Sequence, residues 1–185
     1  MGKYVTKKRI VPFIDTAKDG ESEPKWTPVK KASAFSISFN PQTQTFDFIS
    51  EDTQQTEITG YQPSIDQEIT MFKGEPDYDA FFSLAYNLPT GEKAHRDLLI
   101  VFYQEEGSDG AEESPKTYYK AWKADATIQV NTMDSVAGTI SINLGLNNRV
   151  TGGVSISGTP DDDGRFSPVW TEGEWSDDDV FTPKA

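Results

Sequence analysis

Residues 117–146 read TYYKAWKADATIQVNTMDSVAGTISINLGL, and this stretch decides the fold because its apolar side chains recur at every second position. In its first half, one set of alternate positions holds Tyr118, Trp122, Ala124, Ala126, Ile128 and Val130. After a polar break at residues 131–135, the alternation resumes with Ile140, Ile142, Leu144 and Leu146. Successive side chains of a strand point to opposite faces of a sheet, so the pattern predicts a long antiparallel hairpin with one apolar face.

Shorter stretches of strand character lie on both sides of this hairpin. AFSISFN (34–40) and TFDFIS (45–50) alternate in the same way and predict two adjacent, half-buried strands. The Gly152–Gly153 pair is interpreted as a turn that precedes one more strand. LLIVFY (98–103) is apolar at every position, which predicts a central strand covered on both faces.

The strongest helical pattern is GEPDYDAFFSLAYNLP (74–89), in which an apolar stripe at helical spacing consists of Tyr78, Phe81, Phe82 and Ala85. Pro76 suits a first helical turn, and the sequence therefore predicts a helix over about 76–87. One helix among many antiparallel strands predicts a mainly β fold. We expect an antiparallel β-sandwich or partly closed barrel with one flanking α-helix and extended arms.

Three segments do not fit the strand pattern of the predicted β domain, and two of them lie at the ends of the chain. Residues 1–31 form a lysine-rich N-terminal arm, 32–157 form the β domain, and 158–185 form an acidic C-terminal tail. Within the domain, 50–64 is a long polar excursion between strands. Because the arms keep large apolar residues, we expect them to fold onto a partner. The candidate assembly contacts are Lys7, Lys8, Arg9, Phe13, Glu57, Tyr61, Trp170 and Trp175.

The sequence lacks the side chains that most catalytic mechanisms use. The chain has no cysteine and one histidine, His95, so thiolate chemistry and multi-histidine metal sites are excluded. His95 lies in GEKAHRD, which predicts a solvated loop residue in preference to a lone general base. No phosphate-binding, dinucleotide-binding or hydrolase motif occurs. We therefore expect no catalytic site, no cofactor and no bound metal.

Two carboxylate triplets, at 161–163 and 177–179, raise the question of a cation site. If Gly164 takes the sixth position of a calcium loop, Thr159 and Trp170 fall where the first and twelfth ligands belong, so the bidentate carboxylate is missing. A weak surface calcium contact stays open beside the simpler interpretation of a solvated acidic tail. The carboxylates Glu172 and Glu174, between two tryptophans, leave open a sugar-stacking platform.

Charge is the strongest signal in the composition. The chain carries 30 acidic and 17 basic residues, a net charge of −13, yet residues 1–31 hold eight Lys or Arg against four acids. Residues 158–185 hold eight acids against two bases, so the two ends of the chain have opposite net charge. The carboxylate triplets are expected to lie on the outside of the assembly or to pair with Lys7, Lys8 and Arg9. Nucleic acid is not expected to bind, because such affinity comes from lysine and arginine on phosphates.

No apolar run is long enough for a signal peptide or a membrane span. The expectation is a protein made in a cytoplasm and without a membrane partner.

The order of these segments resembles one family. From ITGYQPSIDQEITMFKGEPDYDAFFSLA (58–85) through DLLIVFYQ (97–104) and YYKAWKADATIQV (118–130) to GTISINLGLNNRVTGGVSISGTP (138–160), the chain resembles the major tail tube proteins of long-tailed, non-contractile bacteriophages (siphoviruses), especially those of Gram-positive hosts. The acidic tail after Pro160 departs from that pattern.

The resemblance implies a structural virion subunit. Six copies would form a ring, and stacked rings would form a hollow tube with an acidic lumen. The tube would hold a tape measure protein, conduct double-stranded DNA without specific binding, and meet terminator and baseplate or tail-tip proteins, with assembly in the host cytoplasm. The alternative from another class is a monomeric β-sandwich that binds carbohydrate or cell wall through Trp170 and Trp175.

Overall fold

The computed structural model describes residues 10–17, 23–47, 49, 52–111, 116–157 and 167–184. Within these residues the chain is mainly antiparallel β with one α-helix, and its main sheet curls into a half-barrel, as the sequence predicts. The strands are β1 (Ile10–Asp15), β2 (Trp26–Pro28), β3 (Ala32–Ser38), β4 (Pro41–Phe46), β5 (Gln55–Tyr61), β6 (Ser64–Thr70), β7 (His95–Ser108), β8 (Thr117–Asp134), β9 (Thr139–Ser157), β10 (Ser167–Trp175) and β11 (Phe181–Pro183). The helix, α1, spans Pro76–Asn87, and a short 3₁₀ turn, Gly91–Ala94, follows it.

The main sheet is built around the long hairpin that the alternating pattern predicts. Its strand order is β11-β10-β9-β8-β7-β1-β2, while β6 pairs with β9 and β3 pairs with β6. Strand β8 occupies one edge of β9 along its length, and the other edge is shared by β10 and β6. Strands β4 and β5 form a separate two-stranded hairpin, which we call the exposed hairpin.

A bulge marks the place where β9 changes partner. Lys123 of β8 pairs with Val150, but Asp125, two residues on, pairs with Asn147, so β9 carries one extra residue there. Asn148, inside the bulge, has a φ of 48°, a left-handed conformation that asparagine tolerates better than most residues. Bulges bend a strand and increase its twist, which suits a sheet that curls.

The central strand β7 is buried on both faces, as its uniformly apolar sequence predicts. Leu98 and Ile100 face a large cluster that includes Phe81 and Leu84 of α1. Leu99 and Val101 face a second, smaller cluster, whose other buried members are Phe13, Ala121 and Val154. Each fully buried side chain of this size contributes roughly 1.5–3 kcal/mol, so both faces of the sheet stabilise the subunit.

The helix has the predicted bounds but a different buried face. Its buried residues are Asp77, Phe81 and Leu84, whereas Phe82 points outward. The reason is Asp77, whose Oδ2 accepts hydrogen bonds from the backbone N–H groups of Lys30 (2.8 Å) and Lys31 (3.3 Å). This carboxylate fixes the first turn of α1 to the connection between β2 and β3.

Two segments expected to be arms contribute strands to the main sheet. From the N-terminal segment, β1 pairs with β7 and β2 pairs with β1. From the tail, β10 pairs with β9 and β11 with β10. The free strand edges of β7 and β9 explain the difference, because a neighbouring segment of the same chain satisfies their backbone groups.

Candidate assembly surfaces

The exposed hairpin projects from the body with little cover. Every residue in β4 and β5 is exposed except Phe46 and Gly60, which are half-buried. At its base, Asn40 has a φ of 43°, and its Nδ2 donates to Gln62 O (3.0 Å) and Ser64 Oγ (3.1 Å). An isolated two-stranded hairpin is only marginally stable in water, so this ribbon needs a partner surface.

The register of the exposed hairpin sorts its side chains into two faces. Pairing of Pro41 with Tyr61 and of Thr43 with Ile58 puts Ile58 and Tyr61 on one face, whereas Phe46, the third large apolar residue, lies on the face of Gln44. The other face carries glutamines and Glu57, which pairs with Gln44. Glu57 and Tyr61, both predicted as assembly contacts, therefore lie on the same hairpin but point to opposite sides, and both are exposed.

A row of aromatic side chains runs along α1 from the half-buried Tyr78, which packs against the large cluster, to the exposed Phe82 and Tyr86. The rings of Tyr78 and Phe82 have centroids 5.6 Å apart, and those of Phe82 and Tyr86 are 6.2 Å apart. Phe82 and Tyr86 are exposed, and Leu88, directly after the helix, is exposed as well. The predicted apolar stripe placed Phe82 together with Phe81 and so did not distinguish this row; the spacing of four residues between these aromatics is the signal that identifies it.

The face of the main sheet opposite α1 is polar along its distal part. The residues there come from alternate positions of β6, β7, β8 and β9: Ser64, Asp66, Glu68, His95, Asp97, Lys123, Asp125, Thr127, Gln129, Ser141, Asn143 and Asn147. None of them is fully buried. We call this set the polar face. Its charged groups are four carboxylates and one lysine, so the face is acidic.

Hydrogen bonds connect neighbouring strands across the polar face. His95 lies at the start of β7 and not in a loop, and its Nδ1–H donates to Asp125 Oδ2 at 2.8 Å. Lys123 Nζ lies 2.9 Å from Asp97 Oδ2, and Asn143 Nδ2 donates to Asp66 Oδ1 at 2.7 Å. These pairs hold the side chains against the sheet, and because they do not neutralise the other carboxylates, the negative charge remains.

The described part of the acidic tail, residues 167–184, is packed onto the body by aromatic rings. Phe181 is fully buried, and its ring lies 4.7 Å from that of Tyr118 and 5.0 Å from that of Trp175. The indole N–H of Trp175 donates to Gly152 O at 2.9 Å. Trp170 packs against the second cluster. Both tryptophans are half-buried within the subunit.

Glycines in the body provide the space for these rings. A Cβ on Gly152 would lie 2.6 Å from Cη2 of Trp170, and a Cβ on Gly153 would lie 2.9 Å from Cε1 of Phe181. The two glycines point to opposite faces, since Gly152 pairs with Ala121 and Gly153 with Lys120. The prediction of a turn at this pair was therefore wrong: β9 runs straight through it, and the missing side chains admit aromatic rings.

In the second carboxylate triplet, 177–179, one residue forms an ion pair within the subunit and the other two are exposed. Asp179 Oδ1 lies 2.8 Å from Lys120 Nζ, and the backbone N–H of Ser108 donates to Asp179 O at 3.3 Å. Asp177 and Asp178 are exposed. The first triplet, 161–163, lies outside the described residues, and among those described no three His, Asp or Glu side chains are grouped to hold a metal ion.

The remaining predicted contacts are placed as follows. Phe13 is buried in the second cluster, between strands of its own sheet. Lys7, Lys8 and Arg9 lie outside the described residues. The chain enters β1 at Ile10, opposite Phe102 of β7. Among the described residues, no helix is both long and apolar enough to cross a membrane.

Comparison with known proteins gives a structural match but no sequence match. No protein-family model matches the chain, and no curated protein does. The tail tube of SPP1, solved by solid-state NMR and cryo-EM, superposes with a TM-score of 0.54 over 81% of this chain and 80% of that one, at 12% identity. The two chains share one fold.

Two further structures superpose less well on this chain. The tail of an empty GTA particle, refined with C6 symmetry, gives a TM-score of 0.47 at 10% identity, over 81% of this chain and 98% of the other. The baseplate of the anti-feeding prophage, 6-fold symmetrised, gives 0.44 at 10% identity, over 83% and 98%.

Proposed function

We propose that this protein is the structural subunit of a bacteriophage tail tube and assembles with copies of itself into stacked hexameric rings. The observation that carries the proposal is the fold shared with the SPP1 tail tube over 81% of the chain. The six-fold ring, the non-contractile siphovirus type and the Gram-positive host follow from the family resemblance. The location is the virion tail, after assembly in the host cytoplasm, and no enzymatic activity is part of the role.

The polar face is the proposed wall of the lumen. It presents Asp66, Glu68, Asp97 and Asp125 against Lys123. Fixed carboxylates repel the phosphates of a duplex, whereas lysine and arginine would bind them and release counterions. In the proposed tube, double-stranded DNA therefore passes without specific binding, and before ejection the same channel holds the tape measure protein.

Unpaired strand edges support self-association. In the described part of the subunit, β3 pairs only with β6, and β2 pairs only with β1, so each presents one edge without a strand partner. A ring requires a heterologous interface that closes, and a stack requires a second one that repeats. The free edges suit the first contact and the exposed hairpin suits the second. Terminator and baseplate or tail-tip proteins would then cap the two ends of the stack.

A carbohydrate-binding module is the alternative function, and the packing of its two tryptophans argues against it. The Trp175 indole is hydrogen-bonded to Gly152 O and lies 5.0 Å from the ring of Phe181, tilted by 41°, while Trp170 packs on the second cluster. A sugar platform needs an aromatic face open to solvent. Both rings instead serve to attach residues 167–184 to the body.

Sedimentation velocity tests the proposal. We expect the average sedimentation coefficient of the purified protein to rise with concentration over a hundredfold range. A carbohydrate-binding monomer would keep one sedimentation coefficient throughout and would lose glycan affinity on Trp175→Ala. A constant coefficient together with glycan binding would overturn the proposed function.

A further inference from the structure

His95, the single histidine of the sequence, lies on the polar face between two hydrogen-bonding groups. Its Nδ1 lies 2.8 Å from Asp125 Oδ2, and its Nε2 lies 3.4 Å from Thr127 Oγ1. Thr127 Oγ1 also accepts a hydrogen bond from Asn147 Nδ2 at 2.8 Å. These four side chains connect β7, β8 and β9, and we call them the His95 network.

The two ends of the His95 network fix the direction of its hydrogen bonds. The ionised Asp125 carboxylate only accepts, so Nδ1 of His95 carries a hydrogen, and in the neutral ring Nε2 is then an acceptor. Nδ2 of Asn147 only donates, so the Thr127 oxygen accepts there and its hydroxyl hydrogen is available to Nε2. The neutral ring therefore receives a hydrogen bond from Thr127.

Protonation of His95 would reverse one of these hydrogen bonds. Both nitrogens of a charged imidazole are donors, so Nε2–H would donate to Thr127 Oγ1 and the hydroxyl hydrogen would turn away. Hydrogen bonds from an ionised donor are shorter and stronger than neutral ones, so the 3.4 Å contact should close. Protons reach the site from water, because the side chains of His95 and Asp125 are 37% and 33% exposed.

The groups around His95 are predominantly acidic on the polar face. The charged and titratable groups of the neighbouring elements are Glu92 and Lys93 of the 3₁₀ turn, Arg96 and Asp97 of β7, Lys123 and Asp125 of β8, Asp66 and Glu68 of β6, and Glu172 of β10. The nearest residues of β9, Gly145 and Asn147, are uncharged. Glu92, Lys93 and Arg96 line a groove at the end of α1 instead of the polar face.

The charge of the polar face therefore depends on His95. Four carboxylates and one lysine give the face three negative charges, and a protonated His95 leaves two. Histidine is the side chain whose charge ordinarily changes between about pH 5 and 8. Asn147 lies next to Asn148, the residue with a φ of 48° in the β9 bulge, so the network ends where the strand changes partner.

We infer that His95 is a proton-sensitive switch of the polar face. Its protonation lowers the net negative charge of the face by a third and, through the Thr127 hydroxyl, changes the hydrogen bond of Asn147 beside the β9 bulge. The consequence for DNA rests on the proposed tube, in which six copies surround one lumen. Six protonated rings would weaken the repulsion between the wall and a duplex, so the lumen repels DNA less in acid.

An NMR titration of the full-length subunit from about pH 8 to pH 5 tests the network. We expect the side-chain amide resonances of Asn147 to shift with the same midpoint as the ring of His95. Thr127→Val removes the hydroxyl that connects them and should abolish the shared shift, whereas Thr127→Ser keeps the hydroxyl and should retain it. Asn143, whose amide donates to Asp66 on the same face, reports the effect of charge alone and should shift less than Asn147.

Two results of this titration would overturn the inference. One is an Asn147 resonance that does not follow His95 in the wild-type protein. The other is a shared shift that persists in Thr127→Val. Circular dichroism shows that each variant is folded, and the Thr127→Ser variant separates loss of the hydroxyl from a general disturbance of the strand.

Retention of duplex DNA measures the effect on the polar face. Asp66→Lys with Glu68→Lys supplies phosphate ligands, and tubes of this variant should retain DNA more strongly at pH 6 than at pH 8. The slope of log retention against log salt should be steeper at pH 6 by about 0.9, the value for one more phosphate contact. Adding His95→Gln should remove the difference, since an amide does not titrate. The same pH dependence with and without His95 would contradict the switch.

The outcomes separate this inference from the proposed function. If tubes form but Asn147 does not follow His95, the switch is wrong and the tube proposal stands. If Asn147 follows His95 through Thr127 while the wild-type protein forms no tube, the switch exists in the subunit and the tube proposal fails. If neither occurs, both are wrong.

Discussion

The ring of Phe181 on β11 occupies the position in which a side chain of Gly153 on β9 would stand. The distance from an ideal Cβ at Gly153 to Cε1 of Phe181 is 2.9 Å, closer than carbon atoms in contact approach. Phe181 is fully buried there, against Tyr118 and Trp175. The attachment of the C-terminal strands to the body therefore depends on a residue that has no side chain.

Gly153→Ala should consequently displace Phe181 and loosen residues 167–184. Inserting a methyl group into a packed site typically costs about 1–3 kcal/mol, and we expect a loss of that size in the free energy of unfolding. Chemical denaturation followed by tryptophan fluorescence measures it. Gly145→Ala is the matched control, because Gly145 lies on the same strand with nothing within 4 Å of its Cβ position; equal losses in the two variants would contradict the packing argument.

Asp77→Ala should destabilise the subunit more than any other carboxylate change on α1. Asp77 is 1% exposed, and its side chain accepts the backbone N–H groups of Lys30, Lys31 and Tyr78. Removing a charged acceptor from these partly buried donors costs about 1.5–3 kcal/mol. Thermal unfolding of Asp77→Ala beside Asp79→Ala, an exposed acid of the same turn, checks this, and the control should lose under about 1 kcal/mol.

Asp134 should make the β8–β9 turn sensitive to acid. Hydrogen bonds from the backbone N–H groups of Ala137 and then Val136 lower the pKa of Asp134 below its ordinary value of 3.8. For a lowered pKa, the stabilisation is complete above the unfolded value and is lost as the pH falls through the folded value. The Val136 and Ala137 amide resonances should therefore shift below about pH 4.

Asp134→Asn provides the control for this titration. Its side-chain oxygen can accept the same two hydrogen bonds but does not titrate, so the two amide resonances should stay constant over that pH range. A shift that persists in Asp134→Asn would show that another group is responsible.

Charge reversal on the polar face should create an affinity for DNA. Asp66→Lys with Glu68→Lys turns two repelling groups into two phosphate ligands, and retention of duplex DNA on filters should fall steeply with added salt. Asp177→Lys with Asp178→Lys, an equal change of charge in an exposed turn of the tail, is the control. If tubes made of the two variants retain DNA equally, the polar face does not line the lumen.

Sequence periodicity predicted the core of this fold because a strand with one buried face has apolar residues at alternate positions. The alternation in residues 117–146 identified the long hairpin, and the helix over 76–87 was predicted with its observed bounds. The uniformly apolar stretch at 98–103 likewise identified the strand that is covered on both sides. In each case the spacing of apolar residues in one segment matches the faces of that segment that are buried.

The errors arose where one residue type serves two purposes. Gly152 and Gly153 suggested a turn, since glycine permits turns, but here it permits rings to approach the backbone, and the sequence does not distinguish the two. Phe82 was included in the predicted apolar stripe because its spacing fits, yet it is exposed, and Asp77 is buried instead, where its carboxylate accepts backbone hydrogen bonds. Of the predicted contacts, Glu57 and Tyr61 lie together on an exposed hairpin, while the roles of all eight in assembly stay predictions.

Negative-stain electron microscopy of the concentrated, incubated protein tests the central claim most directly. We expect hollow tubes of uniform width, formed by the wild-type protein alone or after co-expression with the proposed tape measure and tail-tip proteins. Single particles of monomer size under both conditions, at every concentration, would contradict it.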